Sequence, residues 1–184
     1  MRIIAGSARG RPLKGPKGAD PIRPTADRVR ETIFNLLGQW MDGLAVLDLY
    51  AGTGALGLEA VSRGARQAVL VDQHREAVAL CRANTEALGF GDRVEVVATP
   101  VDRALARLGR EGRAFDLVFA DPPYAARAVP AILEQVDRLG LLAPGGRLCV
   151  EHDKREEAAD SSGGLARDDQ RTFGDTRVSL YARA

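Results

Sequence analysis

Residues 44–57 read LAVLDLYAGTGALG, an apolar run that leads directly into a glycine-rich loop. A strand followed by such a loop and then by a helical pattern is typical of the first unit of an open α/β sheet. Glycines allow the backbone to approach a ligand closely, and the amino end of the following helix favours an anionic part of that ligand. The stretch therefore predicts a ligand site beyond the carboxyl end of this strand.

Downstream of this unit, apolar runs alternate with helical patterns. Strands are predicted at Gln67–Val71, Val94–Val97, Phe115–Ala120 and Gly146–Glu151. Helices are predicted at Leu56–Arg63, Glu76–Leu88, Asp102–Leu108 and Val129–Leu139. This alternation predicts an α/β fold with a doubly wound, mostly parallel, Rossmann-like sheet.

The carboxyl-terminal part of the chain predicts an antiparallel addition to the sheet. Residues 152–169 are polar and are predicted to form a loop. The runs Gln170–Phe173 and Arg177–Ala182 flank Gly174-Asp175, a pair of turn residues typical of a hairpin. A hairpin at the sheet edge is therefore expected.

The amino-terminal part is predicted to be a basic extension, residues 1–43, in front of a core domain, residues 44–184. Residues 1–37 contain eight basic and three acidic residues, although the whole chain has a net charge of only +1. Arg2–Ala5 and Arg11–Lys14 are extended runs that predict a hairpin, and a helix is predicted to begin at Pro24-Thr25. The charge of this extension indicates an anionic partner, with nucleic acid as the leading candidate.

Composition excludes several classes of protein. The chain has 184 residues, of which 45% are hydrophobic and 28% charged, as in ordinary globular domains. No apolar stretch approaches the ~20 residues that span a bilayer, and no signal peptide is read, so a cytoplasmic protein without a membrane partner is expected. The protein is also expected to be a monomer. Cys81 and Cys149 have neither zinc-site spacing nor further cysteines, so they are predicted to be buried thiols, and no metal is expected.

Two aspartates narrow the ligand of the glycine loop. Asp72 follows the second predicted strand, where an acid can bind ribose hydroxyls of either a dinucleotide or S-adenosylmethionine. Asp48 precedes the first glycine and would suit an ammonium group better than a diphosphate. This favours S-adenosylmethionine, which carries an ammonium and no phosphate. Asp48 could instead only cap the turn, and Asp72 could only cap the next helix.

The fourth predicted strand ends in Asp121-Pro122-Pro123-Tyr124. A planar exocyclic amine is a poor nucleophile because its lone pair is delocalised into the ring. The Asp121 carboxylate and the Pro122 carbonyl can accept the two amine hydrogens, and the Tyr124 ring can stack on the base. The motif therefore predicts methyl transfer to a planar amine, held in line with an activated methyl group.

These stretches together resemble the RsmD family, the bacterial 16S ribosomal RNA guanine-N2 methyltransferases of the class I S-adenosylmethionine-dependent type. The resemblance rests on MRIIAGSARGRPL at the amino terminus, RPTADRVRETIFN at residues 23–35, DLYAGTGALGLEAVSRGA at residues 48–65, and DPPY. It implies that the substrate is a guanine of 16S rRNA in the small ribosomal subunit or in an assembly intermediate of that subunit.

The resemblance also assigns roles to individual positions. Cofactor binding is implied for Asp48, Tyr50, Ala51, Gly52, Thr53, Gly54, Asp72, Gln73, Pro100 and Val101. The target amine is expected at Asp121, Pro122, Pro123 and Tyr124. RNA contacts are expected from Arg9, Arg11, Lys14, Arg23, Arg28 and Arg30. The stretch Ala98-Thr99-Pro100-Val101 departs from the small polar pair usual in the family, and Asp102 could replace it in contacting adenine.

Other functions stay open at this point. Related motifs occur in methyltransferases that modify adenine N6 or protein glutamine, although no separate DNA-recognition domain is evident and position 121 is Asp rather than Asn. A nicotinamide-dependent oxidoreductase would share the glycine loop, and an RNA-binding assembly factor would share the basic extension. Outside the motifs, Trp40 and Met41 are predicted to pack between the extension and the core, His74 to lie on the surface, and Glu156-Glu157 to be solvated.

Overall fold

The structure is a computed structural model that describes residues 1–16, 18, 24–123 and 127–183. Its helices are α1 (Pro24–Leu37), α2 (Ala55–Ser62), α3 (Arg75–Leu88), α4 (Val101–Arg110) and α5 (Val129–Arg138). Its strands are β1 (Ala45–Leu49), β2 (Gln67–Asp72), β3 (Val94–Ala98), β4 (Phe115–Ala120), β5 (Leu142–Asp153), β6 (Ser161–Ser162), β7 (Leu165–Phe173) and β8 (Thr176–Arg183).

The strands form one sheet with the order β3-β2-β1-β4-β5-β8-β7-β6. The pairs from β3 to β5 are parallel, and β8, β7 and β6 add antiparallel pairs at one edge. The chain runs outward from β1 in one direction and from β4 in the other, which makes the β1–β4 junction the topological switch point. The predicted α/β fold class is confirmed.

Alternation along β1 separates two apolar clusters, one on each face of the sheet. Ala45, Leu47 and Leu49 face the cluster that includes α4 and α5. Val46 faces the cluster that includes α1, α2, α3 and the amino-terminal segment. Successive side chains of a strand point to opposite faces, so a strand buried on both sides reads as a continuous apolar run. This is why residues 44–49 carry so clear a strand signal.

The carboxyl-terminal strands are longer than predicted. Residues 152–169 are not one loop, because β5 continues to Asp153, β6 lies within the segment and β7 begins at Leu165. Most β7 side chains are polar and lie at least partly in solvent, so β7 has no apolar pattern of its own. Backbone pairing with β8, from Leu165↔Arg183 to Phe173↔Thr176, holds it in place instead. Likewise, Glu156 is buried and accepts the Val129 N–H at 3.2 Å, contrary to the prediction that it is solvated.

The amino-terminal segment packs on α2 as an antiparallel turn. Arg2 and Pro12 form a single antiparallel bridge, in place of a longer predicted hairpin ladder. Ile3 and Leu13 are buried in the same cluster as α1 and α2. Because extension and core share this cluster, the boundary at residue 43 stays a prediction.

Two smaller predictions have different outcomes. Met41 is buried, as predicted, but Trp40 is 73% exposed, so its predicted packing is wrong. Trp40 lies in the short turn after α1, where its ring finds no apolar surface to cover it. Cys81 and Cys149 are both free and buried, as predicted. No helix in the described part of the chain is long and apolar enough to cross a membrane.

Candidate active site

A cavity of about 640 Å³ opens at the carboxyl ends of the parallel strands, beside the switch point. It is lined by Tyr50, Asp72, Gln73, His74, Pro100, Val101, Asp102, Asp121, Pro122, Pro123 and Glu151. The structure thus brings together eight of the predicted cofactor and catalytic residues, from four different strand ends. His74, predicted to be a surface residue, is exposed and also lines this cavity.

Asp72 fixes the glycine loop with both of its carboxylate oxygens. Its Oδ2 atom accepts the Gly52 N–H at 3.0 Å, and its Oδ1 atom accepts the His74 N–H at 2.9 Å. The loop backbone passes through left-handed conformations at Tyr50, Gly52 and Gly54, with φ values of 60°, 58° and 78°. Glycine adopts such angles without steric cost, which explains two of these three positions.

The glycine loop itself lies beside the main cavity. Gly52 and Thr53 line a smaller cavity of about 380 Å³, and His74 lines both cavities. Ala51 and Gly54 line neither of them. Among the loop residues predicted to bind the cofactor, only Tyr50 therefore faces the larger cavity directly.

Asp48 lies beneath the loop. It is 2% exposed, and its Oδ2 atom accepts the Gly57 N–H at 2.9 Å. Burial, together with the charges of Asp121 and Asp72, raises the pKa of Asp48 to about 7, although the hydrogen bond from Gly57 lowers it. A Cβ atom at Gly57 would lie 3.2 Å from the Asp48 Oδ2 and 2.3 Å from a Leu70 methyl, so only glycine fits there. The hydrogen bond supports the turn-capping alternative for Asp48.

The segment after β4 presents one acid and two prolines to the cavity. The Asp121 N–H bonds the Leu49 carbonyl at 3.3 Å, which joins this segment to the end of β1. Pro122 is buried, whereas Asp121 and Pro123 are exposed at the cavity wall. Protein atoms beneath Asp121 withdraw part of its hydration and raise its pKa to about 6. Tyr124, the fourth predicted catalytic residue, lies outside the described residues.

Glu151 belongs to the cavity and was missed from the sequence. The β4–β5 register pairs Ala120 with Val150, so Asp121 and Glu151 are the next residues along two neighbouring parallel strands. Partial burial and the charge of Asp121 raise the pKa of Glu151 to about 7. The available signal was an acid at the carboxyl end of the strand next to DPPY, where strand ends converge.

The segment that departs from the family pattern also reaches the cavity. Pro100 precedes α4, and Val101 and Asp102 begin it, and all three line the cavity wall. Burial and the negative charge of Asp102 raise the pKa of Tyr50. The cavity wall there combines apolar surface with one acid.

The predicted RNA-binding side chains divide into two groups. Arg9, Arg11, Lys14 and Arg28 are exposed. Arg9 and Arg28 line a groove of about 760 Å³ between the amino-terminal turn and α1. The Arg11 guanidinium donates to the Leu88 carbonyl at 3.1 Å and to the Ala87 carbonyl, near the end of α3. Arg23 lies outside the described residues.

Arg30 has a structural role instead. It is 4% exposed and pairs with Asp27 at 2.9 Å and with Glu59 at 3.7 Å. Its guanidinium also donates to the Arg2 carbonyl. A guanidinium enclosed by two carboxylates cannot reach an RNA phosphate, so the predicted RNA contact of Arg30 is wrong. No group of three or more His, Cys, Asp or Glu side chains in the described ranges could hold a metal ion.

The sequence and the structure of this chain are similar to those of several known proteins. The family model described as "Conserved hypothetical protein 95" matches residues 1–182. YlbH of Bacillus subtilis (strain 168) is 36% identical over 183 residues, covering 100% of this chain and 99% of that protein. "Ribosomal RNA small subunit methyltransferase D" of Escherichia coli (strain K12) is 37% identical over 151 residues, covering 82% of this chain and 74% of that protein. The solved structure of yhhF from Escherichia coli superposes with a TM-score of 0.85 at 33% identity, covering 100% of this chain and 97% of that one.

Proposed function

The chain belongs to the RsmD family, described as conserved hypothetical protein 95, and from this premise we propose that it methylates the N2 amine of a guanine in 16S rRNA. The methyl donor is S-adenosylmethionine. The main support for the proposal is that Asp121, Pro122 and Asp72 line one cavity at the switch point. A site for the target amine and a site for the donor's ribose then lie side by side.

The charge of the cavity fits this donor better than a dinucleotide. The described lining contains four acids, Asp72, Asp102, Asp121 and Glu151, and neither Lys nor Arg. A diphosphate would be repelled by such a wall, whereas a sulfonium and an ammonium group are attracted to it. Asp72 can accept ribose hydroxyls, and Pro100 and Val101 offer apolar surface for adenine. This argues against a nicotinamide-dependent oxidoreductase.

The residues of the cavity orient the target amine toward the methyl donor. When bound, S-adenosylmethionine supplies an activated methyl group. Asp121 and the Pro122 carbonyl accept the two hydrogens of the amine, which turns its lone pair away from the ring and toward that methyl group. Methylation leaves a positive charge on the nitrogen, and the adjacent carboxylates of Asp121 and Glu151 stabilise that charge until the extra proton leaves to solvent.

The exposed basic residues support RNA as the substrate. Arg9 and Arg28 line one groove, with Lys14 exposed nearby in sequence. Such side chains neutralise backbone phosphates without reading sequence. The target base must leave its stack to reach the cavity. The Escherichia coli relative is named as a methyltransferase of small-subunit ribosomal RNA, which supports the small subunit as the substrate here.

The proposal is tested by labelled methyl transfer to small ribosomal subunits from a strain that lacks the gene, followed by mass analysis of the nucleosides. We expect label in 16S rRNA as N2-methylguanosine. Subunits from a strain that keeps the gene are the matched control and should accept little label. Label recovered as N6-methyladenosine, or only in protein, would refute the guanine assignment.

A further inference from the structure

Glu151 has no role in the family resemblance, yet it stands next to the predicted amine clamp. We infer that Glu151 reads the target base by accepting the N1–H of guanine, and so sets the preference for guanine over adenine. This inference rests on the proposed function and goes beyond it, because it names the residue that distinguishes the two purines.

The register of the sheet determines where Glu151 can act. Ala120 pairs with Val150, and the next residues on the two strands, Asp121 and Glu151, both line the cavity. Neighbouring strands lie about 4.8 Å apart. The two side chains extend from these neighbouring backbone positions into one cavity, so their carboxylates can converge on one edge of a purine.

Within the described residues, neither acid pairs with a cationic side chain. No ion pair of the described residues includes Asp121 or Glu151. The described cavity wall holds neither Lys nor Arg, and partial burial together with the charge of Asp121 raises the pKa of Glu151. Two adjacent carboxylates without a cation favour a ligand that brings hydrogen-bond donors to both.

Guanine brings those donors and adenine does not. The Watson–Crick edge of guanine presents N2–H and N1–H next to one another. The corresponding edge of adenine presents N6–H beside N1, which is an acceptor. The amine of guanine lies between N1–H and N3, and if Asp121 and Pro122 hold the amine, the orientation that satisfies a carboxylate at Glu151 places N1–H there, because N3 is an acceptor. A carboxylate there bonds the guanine N1–H and repels the adenine N1 lone pair.

A substrate that keeps the amine but has an acceptor at N1 tests the assignment. Small subunits are assembled from 16S rRNA with either guanine or 2-aminopurine at the modified position, which mass analysis of the wild-type product first locates. 2-Aminopurine keeps the N2 amine, but its N1 is an acceptor and it lacks the O6 atom, so the contribution of Glu151 is given by the change in the substrate ratio in a Glu151 variant. We expect the wild-type kcat/KM at pH 8, where Glu151 is mostly ionised, to be lower for 2-aminopurine than for guanine by about 100-fold or more, because a half-buried carboxylate faces a lone pair.

The variant Glu151→Gln should change this ratio. A carboxamide can accept from guanine N1–H or donate to the N1 of 2-aminopurine, so the ratio should narrow to about 10-fold or less. Asp102→Asn is the matched control, since it removes another cavity acid that does not adjoin Asp121 in the register. That control should leave the ratio unchanged. Calorimetric measurement of S-adenosylhomocysteine binding verifies that each variant is folded.

The outcomes separate the two proposals. If the wild-type enzyme forms N2-methylguanosine and Glu151→Gln leaves the ratio as it is, Glu151 does not read N1 and only the present inference fails. If the wild-type enzyme forms no N2-methylguanosine, the proposed function fails and the inference with it. A ratio that narrows in Glu151→Gln and not in Asp102→Asn supports both.

Discussion

The Oδ2 atom of Asp72 accepts the backbone N–H of Gly52 at 3.0 Å, and this hydrogen bond joins the end of β2 to the glycine loop after β1. Asp72 also lines the main cavity. One carboxylate therefore shapes the loop and offers an acceptor to the ligand. Loop shape and cofactor affinity should consequently change together when this side chain is altered.

We expect Asp72→Ala to weaken binding of S-adenosylhomocysteine by about 10- to 100-fold, because it removes an acceptor for ribose hydroxyls and releases the loop. Asp72→Asn keeps one acceptor oxygen and should therefore lose less affinity for S-adenosylhomocysteine than Asp72→Ala does. Isothermal titration calorimetry measures both. A dissociation constant for Asp72→Ala equal to that of the wild type would exclude Asp72 from the cofactor site.

The buried carboxylate of Glu59 joins the amino-terminal segment to α2. It accepts the N–H groups of Ile4 and Ala5 at 2.8 Å and 2.9 Å, and it pairs with Arg63 at 2.8 Å and Arg30 at 3.7 Å. Glu59→Ala leaves two buried guanidinium groups without this partner and should lower the free energy of unfolding by about 3–5 kcal/mol.

Glu95 provides the matched control for Glu59. It also pairs with two arginines, Arg107 at 2.8 Å and Arg113 at 2.7 Å, but its side chain is 44% exposed. Water screens such pairs, so Glu95→Ala should cost about 1 kcal/mol or less. Urea unfolding of both variants gives the comparison. Equal losses would show that burial of the Glu59 network adds nothing.

The raised pKa of Asp48 predicts a pH-dependent stability. Its pKa is about 7 in the folded chain and near the ordinary value of 3.8 in the unfolded chain. Between these values the folded state holds a proton that the unfolded state has released, so stability falls as pH rises toward 7. Asp48→Asn keeps an oxygen for the Gly57 N–H and removes the titration.

The melting temperature of Asp48→Asn relative to the wild type should therefore rise between pH 5 and pH 8, by about 3 °C or more, which corresponds to about 1 kcal/mol for a chain of this length. Differential scanning calorimetry over that pH range is the measurement. Parallel pH curves for the two proteins would mean that Asp48 titrates alike in the folded and unfolded chains.

Neutralising the exposed basic residues of the amino-terminal region should weaken RNA binding. Replacing Arg9, Lys14 and Arg28 with Gln removes up to three phosphate contacts and should reduce the slope of log K against log salt by roughly 2–3. The matched control replaces three exposed arginines of α4 and α5, Arg103, Arg110 and Arg138, on the opposite face of the sheet. If both triple variants have the same salt slope, the amino-terminal region does not bind RNA.

The central parallel strands β1, β2 and β4 were predictable because they are buried on both faces, so they read as continuous apolar runs. The strand β7 was not, because its side chains lie largely in solvent and only pairing with β8 defines it. For Trp40 the error is the opposite one. An aromatic side chain suggests burial, but the short turn after α1 leaves this ring exposed.

The candidate site was predictable where a motif gives a residue one chemical role. Asp72 and Asp121 follow strands, and both line the cavity. Arg30 was misassigned because a sequence shows charge and not the buried Glu59 that neutralises it. Glu151 was missed because its proximity to Asp121 depends on the β4–β5 register, which a sequence leaves undetermined.

The central claim is that Asp121, together with the Pro122 carbonyl, holds the amine that receives the methyl group. The most direct test is the initial rate of labelled methyl transfer by Asp121→Ala to small subunits that lack the modification, with S-adenosylhomocysteine binding measured on the same preparation. We predict a rate at least about 100-fold below wild type, since one of two acceptors is lost, with cofactor affinity kept within about threefold. The rate of Asp121→Asn, which retains an acceptor oxygen, should lie between the rates of Asp121→Ala and the wild type. A rate for Asp121→Ala close to that of the wild-type enzyme would contradict the account.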